Sequence, residues 1–273
     1  MGAGAVRDAV RTVTVLVGAG FRRHSRYHGA IIGGAAANTM FGLLRASLVA
    51  ATITTAGGRL GGYAIATGVT YVWVTQALIG PAQVFYWEDL AVRVRTGDIV
   101  VDLARPLDLQ AQFGALDLGR ALAVTIPRAA PPLTIGALTF GLSLPGDPWA
   151  YLAGGCAVLL GVGVSFACRY LVNLCAIWLL DIRGVATVYF TVSTVLCGLV
   201  VPVHWFPDWL AALDAATPFP SILQTPADVL TGRVVGPAAG RLLAVQVSWL
   251  AAVLLAGRLV QQVGLRRLVV QGG

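Results

Sequence analysis

Lysine is absent from all 273 residues, and the 12 acids include a single glutamate, Glu88. Without Lys there is no Walker A motif, whose Lys holds the β and γ phosphates of a bound nucleotide, and no Schiff-base chemistry. The chain therefore does not hydrolyse ATP by the P-loop route itself. Only 11% of residues are charged, against about a quarter in soluble domains. The acids that remain map by pattern to loops or to the ends of apolar runs, so the buried carboxylate that a proton-driven carrier needs is not expected. His24 and His28 have the i, i+4 spacing of metal ligands, but no acid is near and Arg residues flank them, so they read as interfacial. Cys156, Cys168, Cys175 and Cys197 have no CxxC spacing and sit in apolar runs, where Cys acts as a small hydrophobe. Neither a metal nor a disulfide framework is implied.

Apolar sequence is what the chain has in excess. Hydrophobic residues make up 57% and the mean hydropathy is +0.79, which is integral-membrane composition. Segments near the roughly 20 residues that cross a bilayer fall at 29–53, 63–86, 121–144, 149–171, 184–203 and 237–260. The expected fold class is thus all-α integral membrane with six transmembrane helices, and an even count puts both termini on one side. All 19 basic residues are Arg. Fourteen of them, from Arg7, Arg11, Arg22, Arg23 and Arg26 through Arg93, Arg95, Arg105 and Arg120 to Arg169, Arg183, Arg258, Arg266 and Arg267, lie in the terminal segments and even-numbered connections. Arg59, Arg233 and Arg241 lie on the other side. The positive-inside rule then makes the termini and segment 88–120 cytoplasmic in a multi-pass plasma-membrane protein. Interspersed in this way, the Arg residues mark topology and do not form a nucleic-acid face.

Val6, Val10, Val13 and Val17 recur at helical spacing, so residues 5–20 read as an amphipathic helix on the inner leaflet. The Arg residues that follow and the missing small-residue cleavage site argue against a signal peptide. The most charged stretch is RVRTGDIVVDLARPLDLQ, residues 93–110. There Thr96 or Asp98 can cap a short helix whose Ile99, Val100, Leu103 and Leu107 share one broad face, with Pro106 limiting its length and Asp102 and Arg105 available as an i, i+3 pair. Two readings stand at this point: a surface offered to a cytoplasmic partner, and an interfacial loop helix without one.

GFRRHSRYHGAIIGGAAANTMFGLLRA, TYVWVTQALIGP, RVRTGDIVVDLARPLDLQ, LVNLCAIWLLDIRGV and VPVHWFPDWLAALDAATPFPSILQTPADVLTG, taken in that order, resemble the permease subunits of ABC-2 type exporters. The resemblance is to the bacterial branch whose cytoplasmic loop reads R-x-G-x-x-x-x-x-L-x-R-P. It implies an N-terminal amphipathic connecting helix (1–28), a coupling helix between the second and third spans (88–120) and re-entrant helices before the sixth (202–236). Carried over by residue, the coupling element is Arg95, Gly97, Asp98, Asp102, Arg105 and Pro106. The implied partners are a separate ABC ATPase dimer, which holds ATP and Mg while this chain binds no cofactor, and a second permease subunit, more often non-identical than identical. An ATP-independent channel or scaffold, or a membrane-embedded enzyme, is the alternative class.

Two features bear on a pathway. Asn38, Arg45 and Thr52 are seven apart on the first span, with no acid in that helix to pair with Arg45. Either Arg45 lines the route or meets an acidic lipid or substrate group, or it is satisfied by carbonyls at a subunit interface or snorkels outward. Trp205, Phe206 and Trp209 crowd beside Pro207 and cannot all face lipid from one regular helix. They read either as a gate at the outer mouth or as interfacial anchors.

Overall fold

The computed structural model describes residues 3–26, 28–85, 88–179 and 181–266. Arg267 and the side chains of Val6 and His28, used above, lie outside that description. Helices α1 (Ala3–Ser25) and α2 (His28–Thr55) are followed by a hairpin, β1 (Arg59–Leu60) and β2 (Tyr63–Ala64). Its turn is Gly61-Gly62, both at positive φ (52° and 78°), the backbone that a two-residue hairpin turn demands. Next come α3 (Ile65–Ala82), two short helices α4 (Asp89–Thr96) and α5 (Ile99–Leu103), and the long α6 (Leu109–Phe140) and α7 (Pro148–Leu174). The chain then forms α8 (Arg183–Leu196), the short α9 (Asp208–Ala215) and α10 (Gln224–Leu230), and α11 (Pro237–Leu265).

Local chemistry sets most of these boundaries. Asp108 caps α6 by accepting from the Ala111 amide (2.9 Å), and Asp147 caps α7 by accepting from the Trp149 amide (3.0 Å). Pro148 and Pro237 occupy first-turn positions, where the missing N–H is not needed. Helix α3 stops where Gln83 turns left-handed (φ 47°), and Gly198 at φ 80° closes the turn that follows α8. These stops shift the expected spans. The second ends at Ala82 and not 86, the fifth at Leu196 and not 203, and the third starts at Leu109, well before 121, because the Asp108 cap begins the helix inside the charged connection.

Among the described residues, four segments are long and apolar enough to cross a membrane: Ile32–Thr55, Leu109–Phe140, Pro148–Ile177 and Pro237–Leu265. Helix α8 is too short, at 14 residues, and α3 carries Thr67, Thr70, Thr75 and Gln76 in its 18. Those polar side chains are tolerable because α3 is the central element. Every residue from Gly68 to Ala82 is buried, under α2, α6, α7 and α10. Trp73, fully buried, fills the space between α2 and α6, where Gly42 and Gly136 leave its ring room: a Cβ at either would fall 2.6 or 2.5 Å from it.

Helix α1 packs along α6. Gly20 meets the Leu116 carbonyl and Gly119 meets the Val17 carbonyl so closely that an added Cβ would stand 2.2 and 2.0 Å from them. Of the valines read in the sequence as one face, Val10 and Val13 stay exposed, while Val17 is half-buried and its carbonyl meets α6. Gly119→Ala is expected to cost about 1–3 kcal/mol through overpacking at rigid backbone and to free α1. Trypsin cleavage after Arg22 and Arg23 should then accelerate about tenfold, with α6 cleavage unchanged.

Candidate functional site

At the end of the bundle that carries α4 and α5, the charged stretch forms a two-helix shelf. Gly97, left-handed at φ 81°, makes the corner between the helices, and the Thr96 hydroxyl donates to Asp98 Oδ2 (2.7 Å) beside it. Leu90 and Ile99 point into a small core with Leu109, Phe113, Phe166, Tyr170 and Leu174. The Ala91 amide donates to Asn173 Oδ1 on α7 (3.1 Å). The underside is therefore fastened to α6 and α7.

Asp102 is the polar fastener. Buried to 2% exposure, it accepts from Arg93 Nε and from Gln112 Nε2 on α6 (3.0 Å). The expected Asp102–Arg105 pair does not form. Helix α5 ends at Leu103, so Arg105 is outside its phase and exposed, and a desolvated carboxylate takes the charge-assisted donors available inside. The expected shared face also divides: Ile99 goes inward while Val100, Val101 and Leu103 stay exposed. The shelf thus presents those three apolar side chains among Arg95, Asp98, Arg105 and Pro106, all exposed.

A cavity of about 390 Å³, lined by Arg93, Asp102, Arg105, Asp117 and Arg120 among others, leads from the shelf to a second buried cluster. Asp117, expected in a loop, lies inside α6 at 4% exposure; the early start of α6 is the reason. Its Oδ1 accepts from Arg120 Nε (2.8 Å) and its Oδ2 from Arg169 Nη2 on α7 (3.0 Å). Arg120 also donates through Nη1 to the Gly80 carbonyl (3.0 Å) and through Nη2 to the Pro81 carbonyl (2.8 Å). Ser165, which accepts from Arg169 Nε, donates to the Ala82 carbonyl (2.6 Å). The last carbonyls of α3, where the helical ladder runs out, thus receive cationic and hydroxyl donors from α6 and α7. The local signal was present as Asp117-x-x-Arg120, but Arg120 and Arg169 read as topology markers, and nothing in spacing joins residue 169 to 117.

The first-span residues separate. Asn38 Nδ2 donates to the Gln76 carbonyl of α3 (2.6 Å), and Arg45 is buried on the same side, near Tyr71. Thr52 is exposed, and its hydroxyl donates to the Leu48 carbonyl one turn back. A helix drifts about 20° per seven residues, so two heptads move Thr52 off the face that Asn38 and Arg45 share. Of the three rings after Pro202, Trp205 is tied to the β1–β2 hairpin, donating through Nε1 to the Leu60 carbonyl (3.1 Å) and standing edge-on to Tyr63. Phe206 is half-buried and Trp209 is 69% exposed.

Comparison with known proteins decides the class. The family described as ABC-2 family transporter protein matches residues 41–272, most of the chain. The chain belongs to the ABC-2 transporter family. No curated protein and no solved structure matches it. It is therefore a membrane permease of ABC transport, from a family of generally non-catalytic transport membrane components that generally pair with ABC ATPase subunits.

At the opposite end of the permease lies a polar network centred on Asp228. Asp228 Oδ1 accepts from Gln224 Nε2 (2.9 Å) and the Tyr63 hydroxyl (3.3 Å), and His204 Nε2 lies 2.9 Å from Oδ2. Arg233 stacks over the Tyr63 ring at 4.2 Å and donates to the Gly61 carbonyl (2.8 Å). Burial first, and then Asp228, push the Tyr63 phenol well above its ordinary range, so it remains a donor. Nearby, Asp214 of α9 is screened from water, and neither of its carboxylate oxygens has a partner among the described residues. Burial pushes its carboxyl up to about 7.

Two outcomes are expected of the purified permease. Asp117→Asn leaves Arg120 and Arg169 without their shared carboxylate, at a cost of about 3–5 kcal/mol, measurable as a lowered unfolding temperature and monodispersity in detergent. The folded permease favours protonated Asp214, so that contribution is complete below the unfolded carboxyl value of about 4 and is lost as pH rises through about 7. Wild-type melting temperature should accordingly fall between pH 5 and 8, and Asp214→Asn should reduce that slope and raise stability at pH 8.

Proposed function

We propose that this chain is the membrane-spanning subunit of an ATP-driven exporter, moved by a separate ATPase dimer that holds ATP and Mg and docks on the α4–α5 shelf. The observation that carries this reading is the division of labour within the shelf. Leu90, Ile99, Arg93, Asp102 and Gln112 fasten it to the bundle, while Val100, Val101 and Leu103 stand exposed among Arg95, Arg105 and Pro106. An apolar patch with basic side chains around it suits a protein groove of complementary charge. Movement of the ATPase would reach α6 through Gln112 and then α3 through Asp117 and Arg120, because these contacts leave no loose joint between them.

In this reading α3 and α8 complete six crossings with the four longer helices, and α1 lies at the cytoplasmic surface against α6. The segment 202–236, with α9 and α10, forms the re-entrant outer cap. The Arg distribution supports cytoplasmic termini in a plasma membrane. One such subunit supplies half of a pathway, so a second permease is required, a non-identical one being favoured. Trp209, the exposed ring of the three, faces that partner or the outer mouth, whereas Trp205 holds the hairpin.

The test is capture of its cognate ABC ATPase subunit by the detergent-solubilised permease. Arg95→Glu and Arg105→Glu should each weaken capture about tenfold or more, since like-charge juxtaposition at a docking face costs several kcal/mol. Both residues are exposed, so insertion and melting temperature should not change. Asp102→Arg is expected to damage the shelf itself because Asp102 is buried. Wild-type capture and ATPase activity in both Arg variants would overturn the docking assignment.

A further inference from the structure

Arg45 is a charge that the described chain does not compensate. Its Nε, Nη1 and Nη2 are all buried, and none has a hydrogen-bond partner among the described residues. The other deeply buried guanidiniums differ: Arg120 and Arg169 share Asp117 at 2.8 and 3.0 Å. The groups that act electrostatically on Arg45 are Tyr71 and Cys197, a phenol and a thiol, whose ordinary ionisation lies above neutral pH. Tyr71 is already engaged, its hydroxyl 2.6 Å from Gln224 Oε1 and 2.8 Å from the Gly198 carbonyl. Helix α2 contains no acid. Asp214 acts on Cys197 but is not among the groups acting on Arg45.

Arginine stays protonated in proteins, so this site does not escape the cost by losing its charge. Removing an ion from water without a counter-charge costs several kcal/mol even after relaxation, and an anion that entered would recover much of it. The walls near Arg45 are apolar: Ala46, Val49 and Ile53 belong to the same core as Val69, Val72 and Trp73. An arriving anionic group would therefore be welcome on an otherwise apolar body.

We propose that Arg45 is the receptor for an anionic group, a carboxylate or phosphate, carried by an amphiphile that the permease handles. This rests on the export reading above and adds a substrate class to it. On the neighbouring α3, Gln76 Oε1 and Trp73 Nε1 are likewise buried without a hydrogen-bond partner among the described residues.

The experiment uses the full chain in nanodiscs of zwitterionic phosphatidylcholine, with and without its ATPase. The probes are a long-chain fatty acid, its uncharged methyl ester and an amine of equal chain length. The acid should raise the melting temperature by about 3 °C at saturation, the ester and amine by much less, and Arg45→Gln should abolish the difference. Arg45→Lys, which keeps the charge and loses the fork, should retain part of it. Removal of an uncompensated charge should also leave ligand-free Arg45→Gln at least as stable as wild type, so loss of the shift would not reflect misfolding. A second arm replaces part of the phosphatidylcholine with phosphatidylglycerol. An Arg45-dependent shift with this lipid alone assigns the anion to a bilayer headgroup, and one with the fatty acid in neutral nanodiscs assigns it to a free amphiphile. Equal shifts from acid and ester, or shifts unchanged in Arg45→Gln, would overturn the proposal. An Arg45-dependent melting shift without any acid-stimulated ATPase activity would preserve the site and overturn the export reading instead.

Discussion

The Asp117–Arg120–Arg169 cluster is the constraint on which the rest of this bundle depends. Apolar packing gives helices in a bilayer little preference for one partner over another, since lipid tails are as apolar as Leu. A buried carboxylate shared by two guanidiniums does discriminate, because each member left alone would carry a large desolvation cost. Here it joins α6 to α7 through Asp117 and Arg169, and joins α6 to α3 through Arg120 and the carbonyls of Gly80 and Pro81. The central helix is thereby held at one end by charge. At its other end it is held by Tyr71, Gln224 and the hairpin network around Asp228.

Close approach of backbones does the remaining positioning. Gly20 and Gly119 let α1 lie directly against α6, and Gly42 and Gly136 make the slot for Trp73. These contacts explain how a chain with so few charged residues still has a specific arrangement: small residues set the distances, and a few buried polar groups set the register. They also place the shelf, the 390 Å³ cavity and the charge cluster in sequence along α6, so that a push on α4–α5 in the proposed cycle would act on the bundle through one rigid helix.

Beside the shared Asp117 cluster, the uncompensated charges are informative. Arg45 and Asp214 are both screened from water, and neither has a hydrogen-bond partner for its charged atoms among the described residues. Both act on Cys197, at the turn where α8 gives way to the outer segment. A transporter has to leave some binding energy unspent in its empty state, and an unpaired buried charge is one way of holding it ready for a ligand.

The sequence by itself determined the membrane class, the family and the outline of the helices, because lipid admits only long apolar helices and because an Arg-marked loop has a readable pattern. It also placed the short helix after Asp98, since a capping residue followed by an apolar run that ends before a Pro is a local signal. Tertiary structure decided the rest. Asp102 chose Arg93 and Gln112 over Arg105, Asp117 moved from a loop into α6, Thr52 left the face of Arg45, and Trp205 turned to the β1–β2 hairpin. Each outcome turns on which groups lose their water when distant segments pack. Desolvation of that kind depends on residues scores of positions apart, such as 117 with 169 or 63 with 228, and sequence spacing carries no record of those meetings.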